Sequence, residues 1–276
     1  MPDSLGDRMK EYENVSRIYL TKKLPVIIRI DGRAFHTFTK GFQRPFDKLL
    51  HEAMWSTAEA LCSQIGGVKM AYVQSDEISL LLTNDDSAET QPWFGNNLQK
   101  LVSISASIAT LAFNKYFNDC VIAWMQDPDA TDEEAKLIYA YTEAIMKAQF
   151  DSRAFVLPAY EVINYFIWRQ QDATRNSIQL VAQSMFSHKE LYKKNTSQLQ
   201  EMIFQKGVNW NDYPTYFKRG LCVIKKPVQC AVQIDMGKEG NPEMPIIRNK
   251  FVPDYDIPIF TQNREYIEST FRQKNV

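Results

Sequence analysis

The sequence is poor in the residues that build metal cages and disulfide frameworks. It has three histidines and four cysteines among 276 residues. The cysteines form no CxxC pair, and the histidines do not show metal-ligand spacing. This scarcity excludes a disulfide-dense secreted fold and argues against a structural zinc site. We therefore expect reduced thiols and a cytoplasmic protein.

Several familiar signatures are also missing. The sequence contains neither G-x-x-x-x-G-K-[ST] nor G-x-G-x-x-G, which argues against a P-loop NTPase and a Rossmann enzyme. Serine and cysteine nucleophile motifs are absent as well. The longest apolar stretch, residues 101–114, is interrupted by serines and too short to cross a bilayer, and the first residues show no apolar signal segment. We expect no membrane association and no secretion.

The charge is small overall and unevenly distributed. The net charge of −1 argues against a protein that is basic over its whole surface. Basic residues are nevertheless concentrated toward the C-terminus: Lys189, Lys193, Lys194, Lys218, Arg219, Lys225, Lys226, Arg248 and Lys250. A local basic face can hold phosphates while the whole molecule stays neutral. For any single lysine among them, a solvated surface position is the simpler explanation.

Apolar periodicity predicts a ferredoxin-like order in the first half of the chain. The predicted elements are a strand over 25–31, a helix over 45–66, strands over 68–74 and 78–83, a helix over 96–116, a helical segment around 131–149 and a strand over 153–157. This is the order β-α-β-β-α-β with one helical insertion before the last strand. It predicts an α+β fold in which an open antiparallel sheet carries helices on one face.

The second half of the chain is predicted to be mainly helical. Helices are expected over 160–186 and about 196–206, the second capped by Thr196 or Ser197. Two short strands are expected over 221–226 and 246–252. We therefore divide the chain into domains over 1–158 and 159–276.

Two acidic motifs lie at the ends of predicted strands. Asp31 and Gly32 end the first strand, and Ser75, Asp76 and Glu77 form the tip of the following hairpin. In a ferredoxin-like sheet the first and third elements in sequence are neighbours, so Asp31 and Asp76 can converge. Two carboxylates with the backbone carbonyl of Gly32 form an oxygen-rich site that suits Mg²⁺ and not zinc. Two such ions can activate a hydroxyl and neutralise a leaving pyrophosphate.

The residues around these motifs fit phosphate chemistry. Gly32 permits a close approach of the backbone to a phosphate, and Arg29 and Arg33 can pair with phosphate oxygens. The simpler alternative is that Asp-Gly is a common turn and that an Asp-Glu hairpin tip is solvated. Either motif alone is weak evidence for function, whereas the two together at adjacent strand ends are persuasive.

Ordered motifs along most of the chain match one known family. They run from residue 6 to about residue 227: GDRMK at 6–10 with Tyr12, RIDGRAFH at 29–36, QSDEIS at 74–79, Trp93 and Phe94, Lys100, WRQ at 168–170 with Asp172, and PTYFKRG at 214–220. The pattern resembles the tRNA-histidine guanylyltransferase family, the reverse (3′-to-5′) polymerases. It is most similar to the guanylyltransferase-like proteins that repair truncated tRNA 5′ ends.

The resemblance implies a polymerase palm domain over 1–158 and an RNA-binding and assembly region over 159–276. It implies a template-dependent 3′-5′ nucleotidyltransferase that adds nucleotides to the 5′ end of truncated tRNA. The 5′ end would be activated by an existing triphosphate or by adenylylation from ATP. The implied cofactors and partners are two Mg²⁺ ions, GTP and other nucleoside triphosphates, tRNA, and further copies of the chain in a homotetramer.

The functional positions of the family carry over to matching residues. Asp31 and Asp76 would be catalytic, and both would bind metal together with the carbonyl of Gly32. The implied nucleotide contacts are Asp31, Gly32, Arg33, Ala34, Phe35, His36, Ser75 and Asp76. The basic residues implied to hold the triphosphate or the RNA 5′ end are Lys10, Arg29, Arg44 and Lys100. Glu77 lies beside the metal site but is not expected to be a ligand.

Two departures from the family pattern bear on recognition of the histidine anticodon and on part of the phosphate contacts, respectively. Eukaryotic guanylyltransferases carry His-Ile-Asn-Asn-Leu-Tyr-Asn after their Trp-Arg-Gln motif, a segment associated with recognising the histidine anticodon. Residues 174–180 read TRNSIQL instead. Asn96 and Asn97 also stand where the family often has basic residues.

Three alternatives stay open at this point. The chain could be a tRNA-histidine guanylyltransferase proper, adding a guanine at position −1 of the tRNA. It could be a nucleotidyl cyclase, because the same sheet and carboxylate pair would serve that reaction. It could also be a non-catalytic RNA-binding module, although a mere binder has no need of two converging carboxylates.

Overall fold

The computed structural model describes residues 4–126, 132–233 and 243–272. Its strands are β1 (Val26–Gly32), β2 (Val68–Gln74), β3 (Glu77–Leu82), β4 (Phe150–Val156), β5 (Leu221–Gln233) and β6 (Glu243–Asp254). Its helices are α1 (Ser4–Asn14), α2 (Phe35–Phe38), α3 (Lys48–Gln64), α4 (Leu98–Met125), α5 (Asp132–Ala144), α6 (Val162–Met185), α7 (His188–Leu191), α8 (Thr196–Gln205), α9 (Thr215–Arg219) and α10 (Glu265–Arg272). No helix in these ranges is both long and apolar enough to span a membrane.

The strands form one antiparallel sheet in the order β4-β1-β3-β2-β5-β6. Its first four strands have the ferredoxin-like order, and the predicted α+β class is confirmed. Every residue of β2 and β3 is buried. These two strands lie in the middle of the sheet and are covered on both faces, which explains why they read as nearly continuous apolar runs.

Successive residues of a strand point to opposite faces of the sheet, so each face has its own apolar core. On one face Ile28 and Ile30 are buried in a cluster with residues of α3 and α4. On the other face Ile27 and Tyr72 are buried beneath α6 and residues 257–267. Helices α3 and α4 therefore cover one face as predicted, and the C-terminal part of the chain covers the other.

Among the element boundaries that differ from the predicted ones, those of α4 and β4 have local reasons. α4 continues to Met125, past the predicted end at residue 116, because Phe117 and Val121 extend its buried face. β4 begins at Phe150, before the predicted start at residue 153, because its backbone pairing with β1 extends to Gly32.

The cap of α8 corrects the prediction of Thr196 or Ser197. Asn195 is the cap, and its side chain accepts a hydrogen bond of 3.0 Å from the backbone N–H of Gln198. The side chain of Gln198 in turn accepts one of 2.9 Å from the backbone N–H of Asn195. This reciprocal capping box satisfies two backbone donors at once, which a cap one residue later would not do.

β5 belongs to the C-terminal part of the chain but extends the sheet. Residues 221–224 pair with β2, and in the described part of the chain β5 pairs beyond them with β6 alone. The sheet therefore continues across residue 158, where the domain boundary is predicted. The division into domains over 1–158 and 159–276 stays a prediction.

A smaller apolar cluster joins the second half of α6 to α8. Its buried members are Phe46, Ile178, Val181, Ala182, Leu199, Ile203 and Trp210. The indole N–H of Trp210 donates a hydrogen bond of 3.0 Å to the hydroxyl of Ser177. The cluster therefore holds α7 and α8 beside α6 and close to the loop before α3.

Gly220 determines how α9 meets β5. Its φ is +80°, and a Cβ at this position would lie 2.4 Å from the carbonyl oxygen of Val73. The hydroxyl of Tyr72 donates a hydrogen bond of 2.6 Å to the carbonyl of the preceding Arg219. Only glycine combines this backbone conformation with this close approach.

We predict that Gly220→Ala destabilises the fold by roughly 3–5 kcal/mol, because it adds a backbone clash to a strained φ. The matched control is Gly207→Ala, whose φ of +82° is similar but whose added Cβ would meet nothing within 4 Å. That variant should lose only about 1 kcal/mol. Urea unfolding of both variants measures the difference, and equal midpoints would contradict the steric argument.

Candidate active site

β1 and the β2–β3 hairpin bring the two acidic motifs together. In the strand register Asp31 lies opposite Glu77, and the backbone N–H of Gly32 donates a hydrogen bond of 3.0 Å to the carbonyl of Asp76. The hairpin turn is short because Ser75 adopts a φ of +48°. Asp31 and Asp76 therefore lie at the same end of the sheet on neighbouring strands.

The two carboxylates influence each other electrostatically. Burial, and after it the charge of Asp31, raises the pKa of Asp76 from 3.8 to about 6. Burial and the charge of Asp151 raise the pKa of Asp31, and three guanidinium groups oppose that shift, those of Arg29, Arg153 and Arg169. Two partly buried carboxylates that repel each other favour the binding of a cation.

The available donors fit magnesium. Asp31 and Asp76 offer carboxylate oxygens, and Gly32 offers a backbone carbonyl. Mg²⁺ is commonly held by one or two carboxylates, with water and substrate phosphates completing its shell. No group of three or more His, Cys, Asp or Glu side chains that could hold a metal occurs in the described ranges. Binding of Mg²⁺ by these three residues stays a prediction.

Glu77, the third acidic residue at this end, is engaged with α6. Its two carboxylate oxygens accept hydrogen bonds of 2.7 and 2.6 Å from Arg169, and both side chains are less than a tenth exposed. Arg169 also donates to Asp172 at 3.2 Å and lies over the ring of Trp168 at 4.6 Å. Glu77 therefore anchors the hairpin to α6.

The residues after Asp31 form a tight turn. Ala34 adopts a φ of +54° and caps α2, and the ring of Phe35 turns into the core between Phe113 and Phe150. A Cβ on Gly32 would lie 2.4 Å from this ring, so glycine leaves the space that the ring needs. Phe35 therefore contributes packing.

Two predicted nucleotide-binding side chains of the same turn are exposed. The guanidinium of Arg33 donates to the side-chain oxygen of Gln149 at 2.5 Å. His36 lies at the surface and lines a cleft that opens beside Asp76.

This cleft has a volume of about 250 Å³ and joins four regions of the chain, within residues 35–51, 74–76, 173–183 and 216–220. Its lining includes the polar side chains of Arg44, Ser75 and Asp76 and the aromatic rings of Tyr216 and Phe217 from α9. Sequence reasoning did not assign these rings to the site, although they lie inside the matching PTYFKRG motif. The combination of charge and aromatic surface suits a nucleotide.

α6 supplies a further part of the cleft through Asn176, Ser177 and Leu180. These residues belong to segment 174–180, which departs from the pattern associated with the histidine anticodon. Ser177 is buried and bound to Trp210, and Ile178 is buried in the core. The segment therefore lies beside the carboxylate end of the sheet, with only part of it accessible.

The four predicted phosphate-binding residues are not all brought together. Arg29 precedes Asp31 by two residues on β1, and its Nε lies 4.0 Å from Glu77, buried without a hydrogen-bond partner. Arg44 lines the cleft. These two lie at the carboxylate end.

Lys100 lies away from the carboxylate end, because α4 runs along β4 with Thr110 at Phe150 and Ser105 at Ser152, further from Gly32. It stands in the first turn of α4, and the preceding residues 96–98 hydrogen-bond with residues 18–20 just before β1. Lys10 lies on α1, which leads into that same segment and buries no side chain. A role for Lys10 and Lys100 in phosphate binding stays a prediction.

The two asparagines that replace basic residues of the family have structural roles. Asn96 is buried, and its side-chain amide donates to the carbonyls of Leu20 and Thr21 at 3.4 and 3.3 Å. Asn97 caps α4 by accepting a hydrogen bond of 3.0 Å from the backbone N–H of Lys100. Both therefore stabilise the start of α4.

Comparison with known proteins places these features in a family context. A family model described as tRNAHis guanylyltransferase matches residues 6–158. The tRNA(His) guanylyltransferase of Schizosaccharomyces pombe is 28% identical over 242 residues, which cover 83% of this chain and 83% of that protein. A bacterial tRNA(His) guanylyltransferase-like protein solved in complex with ATP is 44% identical, with a TM-score of 0.79 over 97% of this chain and 98% of that one. One solved in complex with GTP is 42% identical, with a TM-score of 0.74 over 98% and 100%.

The raised pKa of Asp76 predicts a pH-dependent stability. The folded chain holds this proton more tightly than the unfolded chain, so ionisation of Asp76 costs stability once the pH rises from about 4 through about 6. In buffer with EDTA, Asp76→Asn should be more stable than wild type by roughly 1–3 kcal/mol at pH 7.5, and this gain should vanish toward pH 4.

Urea unfolding between pH 4 and 8 measures this effect. Asp85→Asn, at an exposed loop position, is the control and should give no such gain. If Asp76→Asn were no more stable than wild type at pH 7.5, the predicted cost of ionising Asp76 in its buried position beside Asp31 would be wrong.

Proposed function

The chain belongs to the tRNA(His) guanylyltransferase family, and from this membership we propose that it adds nucleotides to the 5′ end of truncated tRNA as directed by a template. Membership confirms the resemblance seen in the sequence motifs and makes the chain a nucleotidyltransferase. The observation that carries the finer proposal is the pair of carboxylates, Asp31 and Asp76, at neighbouring strand ends beside an open cleft.

The proposed reaction joins the 3′-hydroxyl of an incoming nucleotide to the activated 5′ phosphate of the RNA. A 5′ triphosphate would release pyrophosphate. A 5′ monophosphate would first take the adenylyl group of ATP, which releases pyrophosphate, and would then release AMP when the incoming nucleotide is joined. Asp31, Asp76 and the Gly32 carbonyl would hold Mg²⁺, which when bound supplies positive charge to acidify the hydroxyl and stabilise the departing phosphates. The contribution of the protein is positioning and electrostatics.

The side chains of the cleft support nucleoside triphosphates as substrates. Arg44 brings positive charge, His36 and Ser75 offer hydrogen bonds, and the rings of Tyr216 and Phe217 offer a surface for a base. Since related proteins were solved in complex with ATP and with GTP, we propose both for this chain. ATP would activate a 5′ monophosphate, and GTP or another nucleoside triphosphate would be added.

The sequence of segment 174–180 supports selection by a template over selection by the anticodon. These positions carry the pattern associated with the histidine anticodon in the eukaryotic enzymes, and this chain reads TRNSIQL instead. Thr174 offers a hydroxyl where that pattern begins with an imidazole, and Ser177, which is bound to Trp210, and Gln179 do not restore its asparagines.

Assembly into a homotetramer in the cytoplasm is part of the proposal. The family resemblance suggests it, and α1 is compatible with it. Leu5, Met9 and Tyr12 of this helix are exposed to solvent in the isolated chain. An exposed apolar face of this kind is often covered by another copy of the same chain.

We predict that Asp31→Asn and Asp76→Asn each reduce nucleotide addition at least about 100-fold, because each removes a charge that must hold the cation. The assay extends a 5′-truncated tRNA with labelled nucleoside triphosphate and Mg²⁺. Mg²⁺ should also raise the Tm of wild type and not that of the variants.

Asp119→Asn on α4 serves as the control for this assay and should keep wild-type activity. A folded carboxylate variant with near-normal extension would overturn the metal site. A cyclic nucleotide as the product of wild type would indicate the cyclase alternative, and RNA binding without any product would indicate a binding module.

We also predict that the added nucleotide follows the template base and not the anticodon. Truncated tRNAs that differ only in the anticodon should be extended at similar rates. Proteins recognise single-stranded bases by hydrogen bonds to their edges and by stacking on their faces, and segment 174–180 lacks the side chains that the family pattern provides for this. A matrix of RNAs that varies anticodon and template base independently measures both effects. Strong preference for the histidine anticodon, or guanine added whatever the template base, would support the guanylyltransferase proper instead.

A further inference from the structure

A second groove adjoins the catalytic cleft. Gln183 of α6 lines both the cleft and this groove. The neighbouring residues divide between the two, since Leu180 lines the cleft and Gln179 lines the groove. A strand that leaves the cleft along α6 therefore enters this groove directly.

The outer wall of the groove is basic and aromatic. It contains His188, Tyr192, Lys193 and Lys194, from α7 and the turn that follows it. Tyr192 is 64% exposed, and the Nζ of Lys193 lies 5.3 Å from the centre of its ring. Within residues 186–219 there are six lysines and arginines against three acidic residues. The wall therefore attracts phosphate groups.

The wall is also preformed. Lys193 has a φ of +58°, and the backbone N–H of Lys194 donates to the carbonyl of Leu191 at 3.1 Å. The capping box of α8 fixes the next residue, Asn195. The acidic side chain of α7, Glu190, already accepts hydrogen bonds of 2.8 and 2.6 Å from Ser187. The two lysines can therefore meet a ligand without first reorganising the turn.

The chemistry of the groove fits single-stranded RNA. An exposed ring such as Tyr192 stacks on base faces, and the amides of Gln179 and Gln183 can bond to base edges, while lysines hold the phosphates. In paired RNA the base faces are covered and proteins contact mainly phosphates and 2′-hydroxyls. The exposed ring and the amides would then have no function.

We propose that this groove binds the unpaired 3′ strand of a truncated tRNA, the strand that supplies the template base. The proposal rests on the proposed function, because in a 5′-truncated acceptor stem the strand opposite the missing nucleotides is unpaired. The templating base must lie beside the reacting 5′ end in the cleft. The nucleotides that follow it leave along α6 and reach Tyr192, Lys193 and Lys194.

The test measures RNA affinity of the full chain in the absence of nucleotide, so it does not depend on activity. One RNA is a 5′-truncated tRNA with its complete 3′ strand, and the other is trimmed flush with the 5′ end. Lys193→Gln/Lys194→Gln is compared with the control Lys115→Gln/Lys136→Gln, which removes two exposed lysines from α4 and α5. Tyr192→Ala is compared with Tyr139→Ala, whose ring is 68% exposed on α5.

Wild type should bind the overhanging RNA about tenfold more tightly than the trimmed one, since stacking of even one base contributes on this scale. The groove variants should lose most of this difference and bind the trimmed RNA as wild type does. For the double lysine variant, the slope of log K against the logarithm of the salt concentration should decrease in magnitude by about 1.4. This is the value, about 1.4, for the loss of two phosphate contacts to a single strand. The control variants should match wild type.

Two results would overturn the proposal. Equal loss of affinity for both RNAs would place the paired stem in the groove, and unchanged affinity for both would leave the groove without a role. Extension assays on the same preparations distinguish failure of the groove proposal from failure of the proposed function. Wild type that extends RNA while the groove variants bind normally would refute only the groove, whereas wild type that extends no RNA would refute the function itself.

Discussion

The buried ion pair between Glu77 and Arg169 holds the catalytic end of the sheet against the C-terminal half of the chain. Glu77 lies opposite Asp31 in the strand register and directly follows Asp76, while Arg169 belongs to α6, whose later turns line the cleft. Two hydrogen bonds of 2.7 and 2.6 Å fix the distance between hairpin and helix. Breaking a buried pair by removing one partner costs about 3–5 kcal/mol. The width of the cleft therefore depends on both partners being kept together.

The same pair decides which carboxylates remain available for a cation. The hairpin and β1 bring three acidic side chains, Asp31, Asp76 and Glu77, to one end of the sheet. Because Arg169 neutralises Glu77, the remaining negative charge is concentrated on the other two. Burial, followed by the charge of Asp31, raises the pKa of Asp76 to about 6. At neutral pH a carboxylate with this pKa is mostly ionised, and its negative charge in a partly buried space beside Asp31 favours a divalent cation.

The convergence of Asp31 and Asp76 could be predicted from the sequence because its causes are local. Asp31 follows an apolar run, Asp76 occupies a short hairpin turn, and the strand order follows from the succession of elements. The pair of Glu77 and Arg169 had no such signal, since 92 residues separate its partners and both belong to short polar motifs. The position of Lys100 shows the same limit. A motif match identifies a place along the chain, but only the folded sheet shows which of its two ends that place occupies.

α6 connects these features in one continuous helix. Its first half packs on the sheet through Val162 and Phe166, and its second half carries Leu180 and Gln183 along the cleft and the adjoining groove. From Arg169 to Gln183 the helix rises about 21 Å. A template strand lying along it would keep a fixed distance from the carboxylates, because the ion pair and the apolar core hold α6 to the sheet. Such rigidity suits an enzyme that selects the incoming nucleotide by Watson–Crick pairing, because only a rigid site distinguishes the shape of a correct base pair from that of a mismatch.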